Sequence, residues 1–280
     1  MGKKHQWYKA IVLTGILTVF GFWLMAYPLS KSEEEKEKIV ELQPKHKAYQ
    51  KGEKLTYRIH YSFITAGVAG FEVKDTLLNL RQKPHFFFDV YGRSIKRWDR
   101  FYKVRDRYYS IVDTQTLLPT IAYRDIQEGK YETTEKMIFN RKANTVKIND
   151  TLQKKTEPDV HDIVSAIYYA RNLNVEELKI GEGFHVETFF EAESFPIDVV
   201  YFGKETIKTK LGKFRCMVFR PKLIEGRVFK DQSDMVVYVS DDKNRIPIRI
   251  ESGIFVGSIQ VDLSDFKGVK YPFDSRVSDD

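Results

Sequence analysis

The sequence of 280 residues contains a single cysteine, Cys216, and this scarcity excludes several classes of protein. One cysteine cannot form an intramolecular disulfide, a zinc ribbon or a Cys-x-x-Cys redox site. Cys216 lies in the strand-like run FRCMVF, where a buried, unreactive thiol is a better interpretation than a nucleophile. It also lies far from the N-terminus, which excludes the acylated cysteine of a lipoprotein.

Short motifs that carry catalysis are absent as well. The sequence has no G-x-x-x-x-G-K, G-x-G-x-x-G, G-x-S-x-G or H-E-x-x-H motif. Its six histidines have no pair at the spacing of metal ligands, and they stand at positions 5, 46, 60, 85, 161 and 185. The sequence therefore indicates no catalytic residue, no metal ligand and no cofactor.

Neither sign of charge is in large excess. Lysine and arginine number 46 and aspartate and glutamate 39, which gives a net charge of +7. Three of these positive charges, Lys3, Lys4 and Lys9, lie at the N-terminus, so the chain beyond residue 26 carries only +4 (7 minus 3). A hydrophobic content of 42% excludes a disordered polyelectrolyte and favours a globular protein. Nucleic acid is not an expected partner.

Residues 1–26 have the pattern of an export signal. The three lysines precede the uncharged, apolar run 10–26, whose length lies between that of a signal peptide and a full membrane span. Leu24 is a poor residue for a cleavage site after Ala26, so a cleaved signal peptide and an uncleaved N-terminal anchor helix both remain open. Either one predicts an exported protein, in the periplasm or anchored in the inner membrane with its folded part on the periplasmic side.

The remaining chain is predicted to contain a polar spacer, one domain and a tail. The spacer covers 27–50, the domain 51–270 and the C-terminal tail 271–280. In GEKLTYRIHYS, every second residue from Leu55 to Tyr61 is apolar, which is the period of a half-buried strand. We expect the small residues of TAGVAG, 65–70, to form a turn. About fourteen such short strands predict a mainly β fold with a large antiparallel curved sheet, either barrel-like or a sandwich.

One segment has helical periodicity instead. Apolar residues recur at helical spacing between Val160 and Ile167, which predicts one amphipathic helix near 157–173, capped by Thr156 or Asp159. Tyr168, Tyr169 and Arg171 lie on and beside its apolar stripe. They are candidates to line a ligand cavity, and the alternative is two core tyrosines and a solvated arginine.

A basic stretch at 93–109 provides a second set of candidates. Lys103, Arg105 and Arg107 are predicted to share one face of a strand, while Val104 and Tyr108 share the other. Arg105 and Arg107 could bind phosphate, lipid headgroups or an anionic glycan. The alternative is a solvated face whose cations pair with acids such as Asp125 and Glu135.

The order of these segments resembles a known bacterial exported family, the domain of unknown function 3108. The resemblance is carried by GEKLTYRIHYSFITAGVAG, FYKVRDRYYSIVDTQTLLP, DIVSAIYYARN, GRVFKDQSDMVVYVSDDKNRIPIRI and GSIQVDL, over about residues 48–268. It implies a cell-envelope protein with a large antiparallel, barrel-like β fold. It implies no activity and no catalytic residue.

The expected function is that of a non-catalytic β module in the cell envelope. Its aromatic-rich interior would bind an apolar or amphiphilic ligand, such as a lipid, or an envelope protein. Two alternatives remain: a structural component of an envelope assembly, and a hydrolase acting on envelope glycan or lipid through carboxylates from different strands.

Overall fold

A computed structural model of the protein describes residues 37–62, 64–222, 235–253 and 258–278. These ranges contain a sheet of seventeen strands and two short helices. The strands of the first half are β1 (Lys38–Ile39), β2 (Lys54–Tyr61), β3 (Ile64–Val73), β4 (Leu78–Leu80), β5 (Lys83–Ser94), β6 (Arg105–Asp113), β7 (Pro119–Glu128), β8 (Tyr131–Asn140), β9 (Thr145–Ile148) and β10 (Leu152–Lys155). The strands of the second half are β11 (Glu182–Phe190), β12 (Glu193–Thr209), β13 (Gly212–Lys222), β14 (Val236–Ser240), β15 (Pro247–Gly253), β16 (Ser258–Lys267) and β17 (Arg276–Val277). The helices are α1 (Lys96–Asp99) and α2 (Ile163–Ala170).

Most strands pair with their neighbours in sequence. β11 to β16 form one antiparallel series, and β16 pairs with β2, which joins the series to β3 and to β5–β10. β4 and β17 add short pairings to β5 and β13, and β1 pairs parallel to β11. The prediction of a large antiparallel curved sheet is confirmed. The structure also decides between the two predicted forms, because the sheet is a single curved one and not a sandwich.

The curved sheet does not close into a complete barrel. No ladder joins β10 to β11 among the described residues. Instead, a short extended segment reaches β11, where the His161 amide donates to the Glu187 carbonyl at 2.7 Å and the Phe189 amide donates to the His161 carbonyl at 2.7 Å. Phe139 and Val146 pack with Phe189 beneath this segment. Between β10 and β11, side-chain packing and one short bridge therefore take the place of a strand pair.

Helix α2 is shorter than the sequence predicts. It begins after Asp162 and ends at Ala170, so the helix predicted near 157–173 is present but shorter at both ends. The cap is Asp162, whose carboxylate accepts from the amides of Val164 and Ser165, and not Thr156 or Asp159. Asp159 has a φ of 55°, and His161 is bonded to β11, so the chain before Asp162 is not free to form a helical turn.

The TAGVAG run is a strand and not a turn, which corrects a second prediction. Residues 65–70 lie inside β3, and the change of direction occurs before it, at Ser62, whose φ is 50°. Small residues are needed here because neighbouring groups lie very close. A Cβ added to Gly70 would stand 2.4 Å from the Tyr91 ring, and one added to Gly67 would stand 2.8 Å from the Arg93 carbonyl oxygen.

The folded part is longer than the predicted domain 51–270. In the spacer predicted for 27–50, β1 pairs with β11, and Ala48 and Tyr49 are buried. In the tail predicted for 271–280, β17 pairs with β13 and Ser275 is fully buried. The signal or anchor predicted for 1–26 lies outside the described residues. Among the described residues, no helix has the length and apolar character needed to cross a membrane.

Candidate functional site

The candidate site is a cavity of about 180 Å³ between helix α2 and the inner face of the curved sheet. The helix contributes one wall through Ile163, Ala166, Ile167, Tyr168, Ala170 and Arg171. Strands β2, β3, β11–β16 and their ends contribute the others, chiefly through valine, isoleucine and phenylalanine. Cavities of about 150 Å³ with such walls stay dry and take up small apolar molecules. This space is therefore suited to hydrocarbon.

The cavity wall lacks the groups of hydrolytic catalysis. Among the described residues that line it there is no Asp, Glu, His, Ser, Thr or Cys. Its polar side chains are those of Tyr57, Tyr168, Arg171 and Arg245. Elsewhere in the described ranges, no group of three or more His, Cys, Asp or Glu side chains is placed to hold a metal ion.

Arg171 is held at the cavity wall by a buried ion pair with Glu53. Its Nη1 lies 2.6 Å from Glu53 Oε1 and its Nη2 lies 2.9 Å from Oε2, and the two side chains are 4% and 0% exposed. Burial alone would lower the pKa of Arg171, but the Glu53 carboxylate raises it above the ordinary value. The guanidinium also lies near the Tyr49 and Tyr168 rings, 5.5 and 5.4 Å from their centroids. Arg171 is thus a structural cation, and the alternative of a solvated arginine is wrong.

The turn between β14 and β15 completes this end of the cavity. Arg171 donates from Nε and Nη2 to the Asn244 carbonyl oxygen, at 3.1 and 3.0 Å. Asp242 accepts from the Asn244 amide at 2.9 Å and from the Ser275 hydroxyl at 2.6 Å, which fixes the turn. Arg245 follows with a φ of 48°, a left-handed backbone conformation that is uncommon for a residue other than glycine.

Arg245 is a buried cation with few acceptors. It is 4% exposed, and its Nη1 donates to the thioether sulfur of Met217 at 2.9 Å, which is a weak acceptor. Its Nη2 donates to Glu176 at 3.2 Å, and Nη1 lies 3.8 Å from Asp241. Nε has no acceptor among the described residues. An unpaired donor on a buried guanidinium destabilises the folded state. A further hydrogen-bond acceptor would remove that cost.

Tyr168 presents a second unpaired polar atom. The ring stacks on Phe88, with centroids 3.8 Å apart, and the side chain is 1% exposed. Its hydroxyl has no hydrogen-bond partner among the described residues. The hydroxyl of Tyr57, by contrast, donates to the Pro247 carbonyl at 3.0 Å. Two of the residues that line the cavity therefore have a buried polar atom, Tyr168 Oη and Arg245 Nε, without a hydrogen-bond partner among the described residues.

Strand register places the polar and apolar parts of the cavity at opposite ends. Val239 is the last cavity residue of β14 before the turn to Arg245, and Val237 and Met235 lie progressively farther from it. Val237 pairs with Phe219 and with Ile250. From Val239 to Met235 a strand advances about 13 Å. One end of the cavity is thus formed with Arg171 and Arg245, and the other is apolar.

The structure separates the five residues singled out from the sequence. Tyr168 and Arg171 line the cavity. Tyr169 lies beside it and packs on His161, with ring centroids 4.5 Å apart. Arg105 and Arg107 are elsewhere, on β6, so the five do not form one site.

Arg105 and Arg107 share a strand face but have different partners from those expected. Arg105 Nη2 lies 2.6 Å from Asp99 Oδ2, and Arg107 forms two contacts of 2.9 Å with Asp89. Asp125 faces Arg107 across the β6–β7 ladder without an ion pair to it among the described residues, and Glu135 pairs with Arg124. Burial acts to raise the pKa of Asp89, but Arg107 and Lys74 hold it below its usual value.

Two carboxyl groups on the inner side of β6 and β7 form a separate buried pair. Asp106 and Glu128 interact electrostatically, and Asp106 also accepts from the Gln127 amide at 3.0 Å. Burial raises the pKa of Glu128, and the Asp106 charge raises it further. Burial also raises the pKa of Asp106. Burial and the mutual repulsion of the two carboxylates therefore favour a proton on the pair above the pH at which an ordinary carboxyl group ionises.

Sequence reasoning missed Glu53, Asn244 and Arg245. Glu53 precedes the alternating strand pattern and has the appearance of a surface residue at a strand start. Arg245 follows the polar run Ser240–Asn244, which has the composition of an exposed turn. All three residues lie in segments that carry the family resemblance. This could have identified them, because an ordinary turn needs no particular residues.

A protein family and a solved barrel-like structure are similar to this chain. Residues 56–264 match the family described as a protein of unknown function, DUF3108, and the chain belongs to that family. A crystal structure of a beta-barrel-like protein of domain of unknown function DUF1849 from Brucella abortus is similar over 79% of this chain and 100% of that one, with 8% identity and a TM-score of 0.51. A putative exported protein with YmcC-like fold from Bacteroides fragilis aligns over 78% of this chain and 97% of that one, with 10% identity and a TM-score of 0.31. No curated protein matches the chain.

The Glu53–Arg171 pair gives a prediction about stability. We expect Glu53→Gln to lower the free energy of unfolding by about 3–5 kcal/mol, because it leaves the Arg171 charge buried and uncompensated. The matched control is Glu72→Gln, which removes a carboxylate from more exposed ion pairs with Lys54 and Lys74 and should cost about 1 kcal/mol or less. Urea unfolding of the two variants measures both values. Equal losses in the two variants would contradict the role given to Glu53.

The Asp106–Glu128 pair gives a prediction about pH. In the unfolded chain both carboxyl groups ionise near pH 4, whereas the folded pair keeps a proton to higher pH. The folded state then binds more protons than the unfolded state above pH 5, so this pair's stabilisation falls as the pH rises toward 8. The Glu128→Gln variant should not lose this stability as the pH rises. At pH 9 it should be more stable than the native chain by about 1–3 kcal/mol.

Thermal unfolding from pH 5 to pH 9 tests this expectation, with Glu132→Gln as the control. Glu132 is an exposed residue in the same hairpin, so its replacement should leave the pH dependence unchanged. A pH dependence that is the same in Glu128→Gln and in the native chain would show that the pair holds no proton.

Proposed function

We propose that this protein is a non-catalytic binding protein whose cavity takes an amphiphilic molecule with an apolar chain and an acceptor headgroup. The observation that carries the proposal is the apolar cavity under α2, with Arg245 Nε and Tyr168 Oη buried and unpaired. Hydrocarbon fits the valine- and phenylalanine-rich wall. A carboxylate or phosphate oxygen at the arginine end would supply the missing acceptor.

The two other functions considered from the sequence receive less support. A glycan hydrolase needs two carboxylates that face an open cleft, and the described wall of the cavity has none. A structural assembly component needs a large exposed apolar surface, whereas the exposed large apolar residues lie on separate elements. The cavity therefore favours ligand binding.

Ligand binding is tested with three amphiphiles that share one chain: decanoate, decanol and decylammonium. Each competes with a dansyl-labelled undecanoic acid for the full-length protein in detergent-free buffer. Decanoate should bind at least tenfold more tightly than decylammonium, since its carboxylate can accept from Arg245 and the ammonium group cannot. Binding of none of the three, or equal binding of all three, would refute the proposal.

Two variants locate the binding. Ala166→Phe should fill the cavity and prevent binding of all three compounds, while Arg245→Met should weaken decanoate by about 10- to 100-fold and leave decanol nearly unchanged. Arg220→Met is the matched control, because Arg220 is exposed and does not line the cavity. Circular dichroism establishes which variants remain folded. An Arg245 variant that is folded and binds decanoate normally would exclude the headgroup site.

The place of action we propose is outside the cytoplasm. The support is the basic start and the uncharged run at 10–26, which have the pattern of an export signal or anchor. An alkaline phosphatase domain fused after residue 280 should be active in intact cells. Its activity should disappear when residues 10–26 are made polar. An inactive fusion of the native sequence would place the domain in the cytoplasm.

A further inference from the structure

Five exposed cations and one exposed aromatic residue lie close together in sequence, from the end of β5 to the start of β6. Phe101 is 80% exposed, more than any other large hydrophobic residue described. The cations near it are also exposed, and they are Arg93, Lys96, Arg97, Arg100 and Lys103. None of these five forms an ion pair among the described residues. We call residues 93–103 the basic loop.

The acidic residue within the basic loop does not neutralise this cluster. Asp99 is bonded to Arg105, with Nη2 2.6 Å from Oδ2, and it accepts from the Ser94 hydroxyl. Arg105 holds the pKa of Asp99 below its usual value, so the carboxylate stays ionised and paired. The five exposed cations therefore present an uncompensated positive field to solvent.

The basic loop is held in place by contacts on its inner side. The Trp98 indole donates to the Thr65 carbonyl at 3.1 Å, and Trp98 and Tyr102 pack against Ala66 and Val104. The amides of Phe101 and Tyr102 both donate to the Trp98 carbonyl, at 2.9 Å each. Because these contacts already order the backbone, a partner would meet a preformed surface in which Phe101 is free to insert.

Strand register shows where the basic loop lies relative to the cavity. A single row of paired residues crosses the sheet from β5 to β14, through Ser94, Gly67, Ile59, Val261, Ile250 and Val237. The basic loop extends beyond Ser94 at one end of this row. Met235 and the apolar end of the cavity lie beyond Val237, on the same rim of the sheet. Arg245 and Arg171 lie toward the opposite rim.

We propose that the basic loop docks on the surface of an anionic lipid bilayer, with Phe101 entering the headgroup region. Several lysine or arginine residues beside an inserted aromatic ring are the features that bind proteins to anionic membranes. This surface is distinct from the ligand site and does not depend on it. Docking would turn the apolar end of the cavity toward the membrane.

The test uses a local probe, because the apolar run at 10–26 is expected to bind vesicles by itself. Phe101→Cys is labelled with an environment-sensitive nitrobenzoxadiazole group in the full-length chain. Cys216 is fully buried, and burial raises the pKa of its thiol to about 12, so it should not take up the label. The labelled chain is reconstituted into phosphatidylcholine vesicles with or without phosphatidylglycerol.

If the basic loop docks, the probe emission should shift to the blue and become stronger only in the vesicles that contain phosphatidylglycerol. Replacing Lys96, Arg97 and Arg100 with glutamine should shift the docking equilibrium toward the free loop by about 100-fold. The matched control replaces Lys142, Lys154 and Lys155, three exposed cations outside the basic loop, and should leave the signal unchanged. A probe at Lys154→Cys should give no shift in either vesicle.

Three results would overturn the proposal. The first is no shift of the probe at position 101 with the anionic lipid, and the second is the same shift in both kinds of vesicle. The third is an equal shift when dextran sulfate is added to phosphatidylcholine vesicles, which would assign the surface to a soluble polyanion.

Discussion

The buried ion pair between Glu53 and Arg171 is the interaction on which the site depends. It joins the start of β2 to the residue after α2, and through the Asn244 carbonyl it also fixes the β14–β15 turn. Two charges without water stabilise a fold only when their hydrogen bonds are nearly complete, and here both oxygens of Glu53 and all three side-chain nitrogens of Arg171 are used. This one ion pair therefore connects the helix, the sheet and the turn that enclose the cavity.

The period of two and the frequent turn residues were sufficient to predict a large antiparallel sheet, because each strand shows its half-buried face locally. The errors occurred where distant contacts override local preference. TAGVAG has turn composition, yet its small residues serve the close approach of Tyr91 and Arg93 on β5. The helix was predicted too long because the apolar spacing includes Val160, whose neighbour His161 is bonded to β11. A single sequence does not contain these distances.

The candidate site was predictable only in part for the same reason. Tyr168 and Arg171 could be selected because they lie on and beside an apolar helical stripe that had to cover the sheet. Arg245 could not, since an arginine at the end of a polar turn is usually solvated, and its burial follows from the φ of 48° and the packing against Met217. Asp125 was also a predicted acidic neighbour of Arg107, and it is the strand partner of Arg107 on β7. The Arg107 side chain instead contacts Asp89 on β5, on the other side of β6.

The two proposed binding surfaces differ in their access to water, and this difference separates their proposed roles. In the cavity, a cation with an unpaired donor is retained in an apolar wall, so a bound acceptor would gain a charge-assisted hydrogen bond out of solvent. At the basic loop every cation is already hydrated, so contact with a bilayer gains only screened attraction plus the burial of Phe101. The first arrangement favours selectivity for a headgroup, and the second favours rapid, salt-sensitive and reversible attachment. With both surfaces on one sheet, the protein would bind a membrane weakly and reversibly while it binds its ligand tightly.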